Sequence, residues 1–445
     1  MHRYAVVFFL AVAQIWADKL SVALKPSVEI EETVYTYEPS TNGSFPFWTY
    51  GSTVLARRGE TLFMNATETL PDVESLCRVR WALMTRGPDG WTVLRRDPKD
   101  LMREPSPIGV TADGRLFMSV NPKVPSDDPR GPCNPRLLEF SVDRPDAPFK
   151  VIKPPWSTDP KFSNHSYRGF ACDGSNGAVL MMNVEAYRGQ HWVYRDGSGK
   201  WVNSGMVEFP SIESYKGPIP VRLLYPGIVL RNGAAHVITK GGVEDFVKER
   251  VEYRKSKGAK VSGRYHIGYC WSPDIAKQPL SPWIYIVDVS KNVGEVWNCD
   301  LWVAPNGDCH VMWREKSFDT RLRPKYFADQ KLIQSLKHGI MHDGKLIFSQ
   351  TLVQNTEGGN GNRPEWGRFH ATEDGRLFVY TIECKRNGRY VNRLMEIRAD
   401  RSVSDPVEVR LKSPLAMLFM IAGQYGGRLR LTCWSSLLDT VQIGL

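Results

Sequence analysis

Residues 108–119 read IGVTADGRLFMS, which is a short apolar segment, an Asp-Gly pair and a second apolar segment. Asp-Gly readily adopts the tight turn that joins two antiparallel strands, so this pattern is a strong short-range signal for a β-hairpin. The chain shows no sustained helical periodicity after residue 17. We therefore predict an all-β protein.

Hairpins of this kind recur along the chain, for example at Asn232-Gly233, Asn306-Gly307 and Asp374-Gly375. We count seven copies, whose first strands begin close to residues 50, 103, 165, 221, 297, 365 and 415. Each of the first six copies is followed by enough chain for two more strands, and four antiparallel strands per repeat make the blade of a β-propeller. We predict a seven-bladed β-propeller with four-stranded antiparallel blades, closed into a ring by an N-terminal strand at residues 34–37.

The first residues indicate export. Residues 1–17 contain one early arginine, an apolar run and small residues, which is the pattern of a secretory signal peptide. That run is too short to span a bilayer, and no later segment offers ~20 consecutive apolar residues. We predict that residues 18–445 form a single propeller domain, and that the protein is a secreted or periplasmic monomer with no membrane contact.

The net charge and the cysteine content limit the kinds of ligand and metal that the protein is expected to bind. The net charge of +10 favours an anionic partner, whereas the alternation of basic and acidic residues argues against a nucleic-acid surface. We expect an acidic polysaccharide or oligosaccharide instead. The eight cysteines include no CxxC pair, so we predict no cofactor and no metal site. A structural calcium or zinc ion, and the pairing of the cysteines, are left open.

Three turns resemble the Asp box, Ser-x-Asp-x-Gly-x-x-Trp, of sialidase-like propellers: TRGPDGW at 85–91, YRDGSGKW at 194–201 and WSPD at 271–274. The chain as a whole resembles the BNR-repeat carbohydrate enzymes, a group that includes seven-bladed ulvan lyases and rhamnosidases. The resemblance implies a carbohydrate substrate, although one fold hosts many activities. The Arg-Ile-Pro entry of a sialidase is absent, and Arg103-Glu104-Pro105 takes the nearest position.

The densest group of reactive side chains lies in NHSYRGFACDG at 164–174. His165, Tyr167 and Arg168 come just before a predicted first strand, and the first strands of a propeller line its axis. We predict these three as catalytic residues, with His266 and Tyr269 across the cleft. The substrate-binding residues predicted on the same face are Arg103, Glu104, Arg264, Trp297, Asp300, Glu365, Trp366 and Arg368, and Trp48, Tyr50 and Tyr225 are placed there too.

Two long connections between second and third strands, residues 239–265 and 313–338, should rise from that same face. Both are rich in Lys and Arg. Long loops in a compact β fold are often functional, so we expect them to wall a cleft and to attract an anionic chain. The alternative is that their charges only face water.

The function we favour is a polysaccharide lyase that cleaves an acidic, uronate-containing glycan by β-elimination. Such an enzyme needs a cation to neutralise the uronate carboxylate, a base to remove the α-proton and an acid for the leaving oxygen. Arg168, His165 and either Tyr167 or Tyr269 would fill these roles.

Two alternatives remain open. A glycoside hydrolase, sialidase-like or rhamnosidase-like, would use an acid/base pair chosen from Glu104, Asp300 and Glu365. A carbohydrate-binding propeller without activity would use Trp48, Trp297 and Trp366 as stacking platforms.

Overall fold

The computed structural model describes residues 24–445, except 47, 49–50, 129–130, 373, 417–418, 422, 426–429, 436–438 and 445. From residue 417 onward only the backbone is described. The predicted signal peptide at 1–17 and the rim residue Tyr50 lie outside the described residues.

The first half of the chain forms sheets from consecutive strands. One sheet contains β2 (Leu55–Arg58), β3 (Thr61–Thr69), β4 (Val79–Gly87) and β5 (Gly90–Arg96). The next two contain β6 (Ile108–Val110), β7 (Arg115–Val120), β8 (Arg136–Ser141) and β9 (Lys150–Ile152), then β10 (Gly169–Cys172), β11 (Val179–Glu185), β12 (Gly189–Arg195) and β13 (Trp201–Glu208). A separate hairpin follows, made of β14 (Ser211–Ser214) and β15 (Gly217–Pro220).

The second half repeats the arrangement. Its sheets contain β16 (Arg222–Arg231), β17 (Ala234–Glu244), β18 (Ser262–Ser272) and β19 (Ile284–Asp288), then β20 (Glu295–Val303), β21 (Cys309–Lys316), β22 (Ile333–His342) and β23 (Lys345–Thr356), then β24 (Arg363–Ala371), β25 (Leu377–Cys384), β26 (Tyr390–Ile397) and β27 (Val407–Val409). The remaining strands are β1 (Ser27–Thr33), β28 (Phe419–Ile421), β29 (Gly423–Tyr425), β30 (Arg430–Ser435) and β31 (Asp439–Gly444).

These sheets are arranged as a β-propeller. The first strands contact one another around a ring in the order β2, β6, β10, β16, β20, β24 and β28, and β28 contacts β2 again. Six of the sheets that these strands begin have four strands among the described residues, one fewer than the seven four-stranded blades that were predicted. The sheet of β2–β5 departs from the pattern, since β29 adds to β2 as a fifth, parallel strand.

The ring closes through the N-terminal part of the chain, as predicted. β1 pairs antiparallel with β31, from Ser27 opposite Gly444 to Thr33 opposite Asp439. The closing strand is therefore β1 rather than residues 34–37. The carboxylate of Glu32 also accepts a hydrogen bond from Arg86 Nε at 2.5 Å and one from Trp91 Nε1 at 3.0 Å, which ties β1 to the sheet of β2–β5.

The core lies between adjacent blades. β25 is buried along its whole length, because both faces of a second strand are covered by neighbouring sheets and its sequence is accordingly an almost unbroken apolar run. A side chain such as Phe378 or Val379, with at most 1% exposure, contributes about 1.5–3 kcal/mol through burial. The predicted Asn-Gly turn at Asn232-Gly233 has φ of 50° and 85°, the conformation that favours these two residues in a tight hairpin.

The two insertions lie on the same face and contact each other. The β17–β18 connection contains α1 (Lys248–Ser256), and the β21–β22 connection contains a 3₁₀ helix (Thr320–Leu322) and α2 (Arg323–Tyr326). Arg254 of α1 forms a 2.5 Å salt bridge with Asp319. Both insertions are shorter than 239–265 and 313–338, because β17, β18, β21 and β22 extend into those ranges.

Several of the basic residues in the insertions are held in salt bridges. Arg250 and Arg254 pair with Asp245, Arg321 pairs with Asp319, and Arg323 pairs with Glu357. These arginines stabilise the insertions and are not free to attract an anionic chain. That part of the expectation is corrected.

We expect a chain that lacks residues 1–33 to unfold at a temperature at least about 3 °C lower than a chain that lacks residues 1–23. The shorter chain lacks β1, so β31 becomes an open sheet edge and the Glu32–Arg86 salt bridge is lost. An open sheet edge also promotes self-association. Thermal unfolding followed by circular dichroism, with size-exclusion chromatography, measures both effects. Equal melting temperatures for the two chains would contradict the closing role of β1.

Candidate functional site

His165 is the centre of a polar cluster at the face where the first strands begin. Its Nε2 lies 2.8 Å from the hydroxyl of Tyr225, 3.3 Å from Oε1 of Glu104 and 3.4 Å from Nε1 of Trp48. Its ring stacks on Tyr167 with centroids 3.7 Å apart. The His165 side chain keeps 24% of its surface exposed, whereas that of Glu104 keeps 2%. The histidine is therefore the solvent-facing member of the cluster.

Glu104 is the buried acid that holds the partners of this histidine. The hydroxyl of Tyr225 donates to Oε1 of Glu104 at 3.1 Å, and the backbone N–H and hydroxyl of Ser166 donate to Oε2 at 3.1 and 2.7 Å. Nε2 of His165 also accepts a hydrogen bond from the indole N–H of Trp48 at 3.4 Å, because an indole nitrogen can only donate. Nδ1 of His165 has no hydrogen-bond partner in the described part of the chain and is accessible to solvent.

The electrostatics of the cluster favour a neutral base and a protonated acid. Burial, together with the charges of Arg103 and Arg222, lowers the pKa of His165 to about 3. Burial raises the pKa of the Tyr167 hydroxyl. At neutral pH the imidazole is thus unprotonated and the phenol keeps its proton. Burial also raises the pKa of Glu104, against the opposing charge of Arg168.

The backbone is strained at two residues of the cluster. Tyr167 has φ of 44° and Tyr225 has φ of 55°, which is a conformation that residues with bulky side chains rarely adopt. Such strain persists where the surrounding structure enforces it, and it concentrates at functional sites. Here it brings the Tyr225 hydroxyl to Glu104 and the Tyr167 ring onto His165.

Arg222 extends the cluster on one side. Its guanidinium lies 5.3 Å from the ring centroid of Tyr167 and 4.5 Å from that of Tyr187. Tyr187 is 66% exposed in the β11–β12 turn. Among the described residues Arg222 forms no salt bridge. The guanidinium is therefore a cation positioned beside His165 without an anion of its own.

A second group of cations surrounds Trp297 on the other side. The Nζ of Lys240 lies 3.3 Å from the ring centroid of Trp297 and 5.4 Å from that of Tyr225, so it links the two groups. Arg264 lies 4.2 Å from the same tryptophan ring, and its side chain is 42% exposed. Burial lowers the pKa of Lys240 well below its ordinary value. Arg264 pairs with Glu295 at 2.8 Å.

Arg168 belongs to the support of the cluster. It is 3% exposed, and its guanidinium donates to the backbone carbonyls of Glu104, Pro105 and Ser119 at 2.6–3.2 Å. A guanidinium enclosed in this way holds the 104–105 segment in place. The expectation that Arg168 neutralises a substrate carboxylate is therefore corrected.

His266 and Tyr269 lie apart from His165. Tyr269 is fully buried, and its hydroxyl lies 2.6 Å from Nδ1 of His236 inside the core cluster of β17, β18, β20 and β21. His266 is 2% exposed, stacks on Tyr285 and lies 3.3 Å from Asp288. The alternation of side chains along β18 points both residues into packed blades. The structure does not bring them to the predicted cleft.

The other predicted rim residues are mostly engaged inside the protein. Asp300 accepts hydrogen bonds from the backbone of Leu301 and Phe369, and Arg368 is 5% exposed and donates to the carbonyl of Cys299. Asp300 and Arg368 line a central channel of about 580 Å³, whose lining does not include His165.

At blade β24–β27, Glu365 pairs with Arg314 and Arg363. Trp366 is 2% exposed and packs edge-on against Trp297. Of the predicted binding residues, Arg103, Glu104, Trp297 and Arg264 thus border or support the open cluster.

Two further features of the described residues concern the binding of a metal ion and the crossing of a membrane. Within them no three His, Cys, Asp or Glu side chains are grouped so as to hold a metal ion. None of the helices in the described part of the chain has the length and apolar character needed to cross a membrane. The absence of a cofactor stays a prediction.

Sequence analysis missed Arg222, Lys240 and Tyr187 as site residues. Arg222 is the first residue of β16. Several of the predicted site residues also lie at the starts of first strands, so this position was a signal that could have identified Arg222. Lys240 in a second strand and Tyr187 in a turn gave no such signal.

Comparison with known proteins identifies a shared fold. No protein-family model matches the chain, and no curated protein matches it. A solved structure of the polysaccharide lyase Uly1 is similar, with a TM-score of 0.55 and 11% identity, over 94% of this chain and 99% of that chain. The likeness is one of fold.

Two further solved structures with lower TM-scores belong to other carbohydrate-active enzymes. One is an α-L-arabinanase of Penicillium chrysogenum complexed with arabinobiose, with a TM-score of 0.43 and 9% identity, over 94% of this chain and 98% of that chain. The other is an α-L-arabinofuranosidase from Fusarium graminearum, with a TM-score of 0.39 and 8% identity, over 75% of this chain and 90% of that chain.

We expect the imidazole of His165 to remain neutral down to about pH 4, because burial and two arginines lower its pKa to about 3. His342 is the internal control, since its exposed ring faces Asp308 and its pKa is raised. Proton–nitrogen NMR of the histidine rings measures both midpoints. In the unfolded chain the His165 side chain binds a proton near pH 6.5. His165 therefore contributes fully to the free energy of unfolding above that pH, and this contribution is lost as the pH falls toward 3. A His165 midpoint near 6.5 would contradict this environment.

Proposed function

We propose that the protein is a secreted polysaccharide lyase that cleaves a uronate-containing glycan by β-elimination. The observation that carries the proposal is the pairing of an accessible, neutral His165 with a stacked, protonated Tyr167 beside Arg222. A base, an acid and a cation are what β-elimination next to a carboxylate requires.

Recognition of the acid group falls to Arg222 and Arg103 in this proposal. Arg222 lies between Tyr167 and Tyr187 and has no salt bridge among the described residues. Arg103 is held by the carbonyl of Asn42 and the amide oxygen of Asn164 at 3.1 and 3.2 Å. A uronate carboxylate bound to these guanidinium groups would lose part of its charge, which makes its α-proton more acidic.

Proton transfer falls to His165 and Tyr167. The imidazole of His165 would take the α-proton, and the imidazolium that forms would be stabilised by the neighbouring Tyr225 and Glu104. The Tyr167 hydroxyl would protonate the leaving glycosidic oxygen. Binding of an anionic sugar beside Arg103 and Arg222 raises the pKa of His165, because it offsets the two charges that lower that pKa in the free protein.

Hydrolysis is the less well supported reaction. It requires two carboxyl groups that face the substrate on either side of the bond. Glu104 is enclosed by Ser166 and Tyr225, Asp300 is bound to backbone N–H groups, and Glu365 is paired with two arginines. All three predicted carboxylates therefore have partners within the protein.

We expect His165→Ala to lower kcat by at least ~10²-fold on the acidic polysaccharide that the wild-type protein degrades, since the base is lost. The reaction is followed by the ultraviolet absorbance of the unsaturated uronate that elimination creates. His342→Ala, which removes an exposed histidine, is the matched control and should keep full activity. Release of reducing ends without that absorbance would identify a hydrolase, and full activity of His165→Ala would show that His165 is not the base.

We expect Arg222→Ala to weaken the binding of a uronate oligosaccharide at least ~10-fold and to reduce its dependence on salt, because one charge contact is removed. Arg188→Ala is the control. Arg188 is an exposed arginine in the β11–β12 turn, and it already pairs with Glu185. Isothermal titration calorimetry at two salt concentrations measures both. Equal loss in the two variants would mean that only general surface charge is involved.

A further inference from the structure

Cys77 and Cys133 lie near Glu104, which supports the His165 cluster. Cys77 is in the β3–β4 connection and Cys133 is in the β7–β8 connection, so they belong to adjacent sheets. Their exposures are 0% and 7%, and both are free thiols in the structure. Charges that act on the two sulfurs include those of Glu104 and Arg168.

The backbone holds the two connections in register. Val79, two residues after Cys77, forms a β-bridge with Met102, and the backbone N–H of Lys123 donates to the carbonyl of Leu101 at 2.9 Å. Lys123 in turn forms a β-bridge with Cys133. Three neighbouring segments thus bring the two cysteines into one region, where Cys133 is the largest cause that lowers the pKa of Cys77 and Cys77 is the largest cause that raises the pKa of Cys133.

We propose that Cys77 and Cys133 form a disulfide bond when the protein is exposed to an oxidising compartment, and that this bond braces the segment that carries Arg103 and Glu104. Disulfides that link adjacent loops persist in exported proteins. The pair stands apart from the proposed catalytic chemistry, and only its effect on substrate binding rests on the proposed function.

The oxidation balances with a disulfide oxidant such as oxidised glutathione. The Cys77 thiolate attacks one sulfur of the oxidant, forms a mixed disulfide and releases one glutathione thiolate. Cys133 then loses its proton and attacks the Cys77 sulfur, which releases the second glutathione. The neighbouring Cys133 lowers the pKa of Cys77, so Cys77 forms a thiolate more readily than Cys133 does.

The bond would act on the site through Asn42. The side-chain amide of Asn42 donates to the carbonyl of Leu76, next to Cys77, and to the carbonyl of Arg103 at 2.9 and 3.2 Å. On the other side, the backbone N–H of Cys133 donates to Phe162 at 3.0 Å, just before the His165 segment. A covalent link between the two connections would therefore limit movement of Arg103 relative to Asn164 and His165.

Peptide mapping tests the bond directly. Protein treated with oxidised glutathione, digested without reduction and analysed by mass spectrometry should yield one linked peptide pair that contains Cys77 and Cys133, and reduction should separate it. Unmodified thiols at both positions, or a link between either and another cysteine, would overturn the proposal whatever the activity of the protein is.

Thermal unfolding with and without a reductant tests its contribution. Reductant should lower the melting temperature of the oxidised wild-type protein by about 2–4 °C, in line with the usual stabilisation by a disulfide. Cys77→Ser and Cys133→Ser should show no response to reductant. Cys384→Ser is the matched control, since Cys384 has the same 7% exposure as Cys133, and it should respond as the wild-type protein does. An unchanged wild-type melting temperature, or a response that Cys77→Ser retains, would contradict the brace.

Discussion

The buried carboxylate of Glu104 is the constraint on which the site depends. A charge removed from water must be surrounded by donors or it destabilises the fold. Glu104 takes them from Ser166, Tyr225 and the nearby charge of Arg168, which lie at the start of one blade and in the first strand of the next. Meeting this demand fixes the position of His165. The orientation of the proposed base is thus a by-product of satisfying one acid.

The cations are divided between closed and open positions. Arg168, Arg254 and Arg368 are at most 5% exposed and bind carbonyl oxygens or carboxylates of the protein. Arg222 and Arg264 keep aromatic partners and contact solvent, and Arg264 also pairs with Glu295. The rings of Tyr167 and Tyr187 hold the Arg222 guanidinium in place without neutralising it, because a ring attracts a cation but contributes no charge. Positive charge therefore stays available at Arg222, between these two tyrosines.

Sequence reasoning succeeded where the signal is local. The Asn232-Gly233 turn and the recurring hairpins depend on a few neighbouring residues, whereas the role of His165 stays a prediction. It failed where an outcome depends on strand register: whether Tyr269 faces the cleft or His236 is decided by pairing between β17 and β18. The partners of Arg168 are backbone carbonyls of another blade, which leave no trace in residue identity. The resemblance to sialidase-like propellers and the single-domain organisation stay predictions.

The pairing of β1 with β31 separates the order of synthesis from the order of assembly. β1 is made before any other described strand, yet its partner, Asp439–Gly444, is made last. Every blade must therefore be complete before the first strand can find its place, and contacts this distant in sequence form slowly. During that interval the nascent chain carries an unmatched strand at each end of the ring. A circular permutation that joins the end of β31 to the start of β1, with new ends in a surface turn, would remove this delay for the β1–β31 pair and leave the same ring.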